Sequence, residues 1–143
     1  MTTRIVVGVD GSESAARAVQ WCVRYARALD AEVVAVHALE EPVYPLPTIS
    51  YVAIPPLDDE ARAELHRVLD EEWCAPLREA GVRYRAVLAD GPPAPVLIRL
   101  ADEEDADLVV TGRRGRGGFA ELLLGSTSHH VSHHVRRPLV IVP

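Results

Sequence analysis

The sequence contains no lysine, and its 15 basic residues are all arginine. Since Schiff-base enzymes and P-loop enzymes both depend on a lysine amine, neither chemistry is open to this chain. Cysteine is also scarce. Cys22 and Cys74 fall inside helical patterns rather than in a CxxC motif, which favours a reducing compartment over a disulfide framework.

A broad basic surface and long apolar runs are missing as well. The formal net charge of −6 argues against a general binder of nucleic acids or acidic membranes. No apolar run approaches the length of a membrane span, and the first residues show no signal-peptide pattern. We therefore expect a cytoplasmic protein with no nucleic-acid or membrane partner. A chain of 143 residues with 48% hydrophobic content suits one globular domain, residues 1–143.

Apolar segments with strand patterns alternate with helical patterns along the whole chain. Such alternation predicts an α/β fold, a single-domain five-stranded parallel sheet with helices on both faces. The predicted strands are residues 5–9, 33–39, 82–88, 107–111 and 139–142. The predicted helices are residues 12–30, 58–80, 94–105 and 126–136. The third strand alternates with arginines and is expected near a sheet edge, while Pro76 is expected to bend or end the second helix.

The first and fourth strands are each followed by a glycine-containing loop. Ligands in parallel sheets lie beyond the carboxyl ends of the strands, where the strand order reverses. If the first and fourth strands are neighbours, the two loops line one crevice, and the strand order is 3-2-1-4-5.

Residues 109–127, VVTGRRGRGGFAELLLGST, hold five of the nine glycines. A loop with few Cβ atoms lets backbone N–H groups approach an oxyanion closely. The last helix begins near Ser126 and Thr127, and a helix N-terminus attracts the same anion. The stretch therefore predicts a phosphate-binding loop.

These residues resemble the nucleotide-binding universal stress proteins. Gly112, Gly115 and Gly125-Ser126 match that family's G-x2-G-x9-G-[ST] pattern, and IVVGVDGS, AEVVAVHAL and PLVIVP resemble its opening, second strand and close. The resemblance implies a Rossmann-like fold of the adenine nucleotide alpha hydrolase type. It also implies bound ATP, Mg²⁺ held mainly through the phosphates, and a homodimer formed through the last strand, residues 139–142.

The resemblance also implies the roles of individual residues. Asp10 would accept from a ribose hydroxyl or the adenine amino group, Val36 would pack on adenine, and the glycine loop would surround ribose and phosphates. The implied nucleotide-binding residues are Gly8, Val9, Asp10, Val36, Gly112, Arg113, Arg114, Gly115, Arg116, Gly117, Gly118, Gly125, Ser126 and Thr127.

Each feature also has a purely structural interpretation. Asp10 could simply open a turn with Gly11, and each arginine of the loop is as easily a solvated side chain. The proline-rich loop, residues 40–56, is either a lid over the ligand or a partner-facing surface.

The last helix carries His129, His130, His133 and His134, which form two pairs one turn apart. Metal sites usually need a third protein ligand, so a solvated or dimer-facing surface is the favoured interpretation. No catalytic motif is present. The leading hypothesis is a regulatory ATP-binding module; the alternatives are a slow ATPase or adenylyl-transferring enzyme using the same pocket, and a dimeric interaction protein independent of nucleotide.

Overall fold

The computed structural model describes residues 1–40, 43–45, 51–53, 55–115 and 124–143, with the backbone alone for 43–45 and 51–53. The strands are β1 (Arg4–Gly8), β2 (Glu32–Leu39), β3 (Val43–Pro45), β4 (Tyr51–Ala53), β5 (Tyr84–Asp90), β6 (Leu108–Gly112) and β7 (Leu139–Val142). The helices are α1 (Glu13–Leu29), α2 (Asp59–Arg67), α3 (Ala75–Glu79), α4 (Pro93–Glu103) and α5 (Ser126–His134). Among these residues no helix is long and apolar enough to cross a membrane.

The main sheet is parallel and has the order β5-β2-β1-β6-β7. Counting only its five strands, this is the predicted order 3-2-1-4-5, with β5 at one edge as expected. The central strand β1 is buried through Ile5, Val6 and Val7. Its two faces pack into separate apolar clusters, one with α1 and α3 and the other with α4 and α5. The sheet therefore lies between two helical layers.

Helix α1 begins as the sequence predicts. The Ser12 hydroxyl accepts a hydrogen bond from the Ala15 N–H at 3.1 Å, which satisfies one of the donors left unpaired at a helix start. The helix ends at Asp30, whose φ of 49° places it in the left-handed region. Leu29, the last helical residue, is 52% exposed although it continues the apolar spacing of the helix.

The single helix predicted for residues 58–80 is wrong. Helix α2 ends at Arg67, residues 68–73 form a π-helical segment, and α3 begins after Cys74. Pro76 has no N–H to continue the helical ladder, so the break falls just before it, as expected of a proline. The π-helical segment directs Leu69 into the core and places Trp73 beside His37, with ring centroids 5.2 Å apart.

The proline-rich loop contains a small hairpin in which β3 pairs antiparallel with β4. Each of these strands pairs on one side within the described residues, as the prolines require. Whether the loop acts as a lid stays a prediction. The last helix ends at His134 rather than Arg136, because Val135 has extended backbone and the chain is already turning into β7.

Candidate functional site

The loops after β1 and β6 meet directly. The Ser14 hydroxyl, in the first turn of α1, accepts a hydrogen bond from the Arg114 N–H at 3.2 Å. A Cβ atom on Gly112 would lie 2.5 Å from the Ser14 Oγ and 2.7 Å from its carbonyl carbon. A Cβ atom on Gly115 would lie 2.8 Å from Oδ2 of Asp10. The prediction that both loops line one crevice is therefore confirmed, and the glycines are what allow the approach.

The backbone of the first loop is fixed by its own hydrogen bonds. Oδ1 of Asp10 accepts from the Ser12 N–H at 2.9 Å, and the Val9 N–H donates to the Val36 carbonyl at 2.8 Å. His37 lies 2.7 Å from the Val9 carbonyl through Nδ1. Because a carbonyl oxygen can only accept, Nδ1 of His37 carries the proton. The carboxylate of Asp10 is thus held at the mouth of the crevice.

Arg113 joins the ends of β6, β7 and the start of α5 through its backbone. Its N–H donates to the Val142 carbonyl at 2.7 Å, and its carbonyl accepts from the Gly125 N–H at 2.7 Å. The same carbonyl accepts from the Ser128 hydroxyl at 2.9 Å. The helix cap is Gly125, which has no side chain to satisfy the first N–H groups of α5. Ser126, expected as the cap, is instead the first helical residue and is exposed.

A cleft of about 110 Å³ opens above these loops. Its lining combines apolar and polar residues, which suits a ligand with a flat apolar part and a charged or hydroxylated part. The apolar lining residues include Gly8, Val36, Ala38, Pro93 and Leu97. The polar and loop residues of the lining include Asp10, Thr111, Arg114, Gly115, Thr127 and Ser128.

Two polar atoms in this cleft have no hydrogen-bond partner among the described residues. They are Oγ1 of Thr111 and Nε of Arg114, and both are buried. Because a buried polar atom without a partner is costly, nearly all such atoms in folded proteins are paired. The two unsatisfied atoms, together with the close glycine approaches, fit a cleft that is completed by a polar ligand.

The cleft brings together most of the predicted residues. Those that line it are Gly8, Val9, Asp10, Val36, Gly112, Arg114, Gly115 and Thr127. Arg113 and Gly125 hold the loop through their backbones, and Ser126 lies beside it at the start of α5. Arg116, Gly117 and Gly118 lie outside the described residues.

Sequence reasoning missed several residues of the site. Ser14 and Ser128 link the loops, while His37 and Thr111 line the cleft. The sequence did contain a signal for Thr111, because this residue places a hydroxyl group at the end of the apolar run of β6. Nothing local in the sequence signals the serines, since their partners are distant along the chain.

The four histidines of α5 are all exposed. The rings of His129 and His133 lie 4.6 Å apart, and those of His130 and His134 lie 4.7 Å apart. In the described part of the chain, no group of three or more metal-ligating side chains comes together. None of the four histidines is among the described residues that line the cleft.

A five-stranded parallel sheet with a glycine-framed cleft at its switch point defines a class of Rossmann-like binding proteins. The model of the universal stress protein family matches residues 1–143. The chain therefore belongs to the universal stress protein family.

Individual relatives agree with this assignment. The universal stress protein YxiE of Bacillus subtilis is 31% identical over 147 residues, and the alignment covers 99% of each chain. A universal stress protein of Thermus aquaticus is 33% identical over 143 residues, again with 99% of each chain covered.

Solved structures show the same fold. A universal stress protein in complex with cAMP is similar with a TM-score of 0.73 and 28% identity, covering 99% of this chain and 96% of that one. A universal stress protein from Archaeoglobus fulgidus has a TM-score of 0.74 at 24% identity, with 100% and 95% of the two chains covered.

Proposed function

We propose that the protein binds an adenine nucleotide in this cleft and acts as a regulatory module of the stress response. The observation that carries the proposal is the meeting of the two loops, where a Cβ atom at position 115 would lie 2.8 Å from the Asp10 carboxylate. This contact places an acceptor for hydroxyl groups beside a glycine loop and a helix N-terminus. A nucleotide likewise carries a hydroxylated sugar next to an anionic tail.

Charge divides the cleft between the parts of the ligand. The carboxylate of Asp10 repels phosphate but accepts hydrogen bonds from sugar hydroxyls, so the ribose belongs beside it. The backbone around Gly112 and Gly115, the first turn of α5 and the Arg114 guanidinium attract phosphate. Val36 and Leu97 offer an apolar surface for the base. The similar structure in complex with cAMP supports an adenine nucleotide as the kind of ligand.

We take ATP to be the preferred nucleotide. The Arg114 guanidinium and the N-terminus of α5 both attract phosphate, so a chain of phosphates can contact both. Mg²⁺ would be held mainly by phosphate oxygens and water, the ligands this ion favours. The finding that favours binding over catalysis is that Asp10 is the one carboxylate among the described residues lining the cleft.

The nucleotide would act on a partner surface near the site. Strand β7 pairs with β6 on one side within the described residues, and Leu139–Val142 are all partly exposed apolar residues. The Arg113 N–H, in the phosphate loop, donates to the carbonyl of Val142 at the end of this strand. A homodimer through β7 would therefore be coupled to the occupancy of the loop.

Isothermal titration calorimetry with ATP, ADP, AMP and GTP tests the proposal. We expect adenine nucleotides to bind, with ATP the tightest and GTP weaker. Gly115→Ala pushes the Asp10 carboxylate out of place, and Asp10→Asn removes its charge; each should weaken ATP binding at least tenfold.

The matched control is Gly81→Ala. Gly81 has a φ of 69° and lies far from the cleft lining, so the added methyl strains the backbone without touching the ligand. Its ATP affinity should equal that of the wild type. A wild-type protein that binds none of the four nucleotides would refute the proposal and leave the nucleotide-independent dimer. Phosphate release that disappears in Asp10→Asn would instead favour the slow ATPase.

A further inference from the structure

Thr111 is the last side chain of β6 before the glycine loop, and it is 4% exposed. Thr111 is one of the residues that line the cleft, and its buried hydroxyl has no hydrogen-bond partner among the described residues. Valine has the same shape without the polar atom, and valine occupies the two preceding positions, 109 and 110. A threonine here costs stability in the empty protein unless the hydroxyl meets a ligand.

The position of Thr111 in the sheet indicates which part of a ligand it would meet. Val7 pairs with Val110 and Gly8 pairs with Val36, so Thr111 and Val36 flank Gly8 on adjacent strands. Their side chains share the face covered by α4, where a Cβ atom on Gly8 would lie 3.0 Å from Leu97. Thr111 therefore lies on the α4 side of the sheet, beside the apolar lining residues of the cleft.

The groups that attract phosphate lie elsewhere. Arg114 and Gly115 follow the end of β6, and Thr127 is in the first turn of α5. The Thr111 hydroxyl is on the strand itself, beside Gly8 and Val36, so we expect it to meet the uncharged part of the ligand.

We propose that the Thr111 hydroxyl hydrogen-bonds to the nucleoside part of the bound nucleotide, the base or the ribose, and thereby sets the affinity of this chain for adenosine-containing ligands. This inference rests on the proposed function and deepens it, since it assigns a binding role to a residue outside the glycine frame. The inference requires that the Thr111 hydroxyl stabilises the complex with the nucleotide but does not stabilise the ligand-free protein.

The test compares Thr111→Val with Thr111→Ser by calorimetry, using adenosine and AMP as separate probes. The valine variant should bind both probes about 5- to 100-fold more weakly, because a ligand atom is left without its partner in a desolvated site. The serine variant keeps the hydroxyl and should bind within about threefold of the wild type. Without ligand, the valine variant should melt at the same temperature as the wild type or higher.

Each result decides the inference. Unchanged affinity of Thr111→Val for both probes would overturn it, and a loss confined to AMP would place the contact at the phosphate instead. A ligand-free Thr111→Val protein that melts several degrees lower would show a structural role for the hydroxyl. Failure of the wild type to bind AMP or adenosine would refute the proposed function as well, whereas wild-type binding with an indifferent Thr111→Val refutes this inference alone.

Discussion

Gly112→Ala tests whether the two loops must touch for the protein to fold. A Cβ atom here would lie 2.5 Å from the Ser14 Oγ, 2.7 Å from its carbonyl carbon and 2.8 Å from its carbonyl oxygen. Two of these atoms are backbone of the first turn of α1, which cannot move without disturbing the helix and the core beneath it. The added methyl therefore forces β6 and α1 apart.

The expected cost follows from these contacts. Overpacking against fixed atoms destabilises by about 3 kcal/mol, and the reduced freedom of the unfolded chain offsets about 0.5 to 1 kcal/mol of it. The net loss of about 2 kcal/mol should lower the melting temperature by roughly 8 °C. Urea unfolding followed by far-UV circular dichroism measures the free energy of unfolding directly.

A second substitution separates the two kinds of contact. Ser14→Ala in the Gly112→Ala background removes the Oγ contact but leaves both backbone contacts, so it should restore little stability. Ser14→Ala alone should cost about 1 kcal/mol, because the Arg114 N–H loses its acceptor. A Gly112→Ala protein as stable as the wild type, or one fully restored by Ser14→Ala, would refute the reasoning.

One labelling reaction and two further substitutions test the fold. Burial raises the pKa of the Cys22 and Cys74 thiols to about 12, so neither should react with Ellman's reagent at pH 8 until urea unfolds the chain; rapid labelling of the native protein would contradict this. The hydrogen bond from Arg85 is the main cause that lowers the pKa of the Glu32 carboxyl below its ordinary 4.5. A carboxyl with a lowered pKa stabilises the fold above pH 4.5, and this stabilisation is lost as the pH falls below that value. Arg85→Met should therefore lower the free energy of unfolding by about 1 kcal/mol at pH 7 and by less at pH 3, as measured by urea titration. The effect is this small because the Arg85–Glu32 pair is partly exposed. Asp30→Gly should raise the free energy of unfolding by about 0.5 to 1 kcal/mol, because Asp30 has a φ of 49°, a left-handed conformation that glycine adopts without strain. A lower melting temperature in that variant would count against the argument.

Much of the fold could be predicted because its signals are local. The run Ile5-Val6-Val7 is continuous and apolar, as a strand buried on both faces requires. The spacing of Gly112, Gly115 and Gly125 predicted the position of the candidate site, because a Cβ atom at each of these positions would lie too close to a neighbouring segment of the chain. The prediction failed in residues 58–80, where the single helix expected from the apolar spacing is divided by the π-helical segment 68–73.

By itself, the sequence determined the five strands of the main sheet and their order, the interruption near Pro76, and the edge of the sheet at which the two glycine loops meet. These properties depend on residue types and on their spacing over short stretches of chain, both of which can be read from the sequence. Tertiary structure alone decided that Ser14 reaches Arg114, that His37 contacts the Val9 carbonyl, and that the hydroxyl of Thr111 is buried with no partner among the described residues. Those facts depend on which distant segments come within 3 to 4 Å of each other, and hydrogen bonding at that range is fixed only once the sheet has assembled.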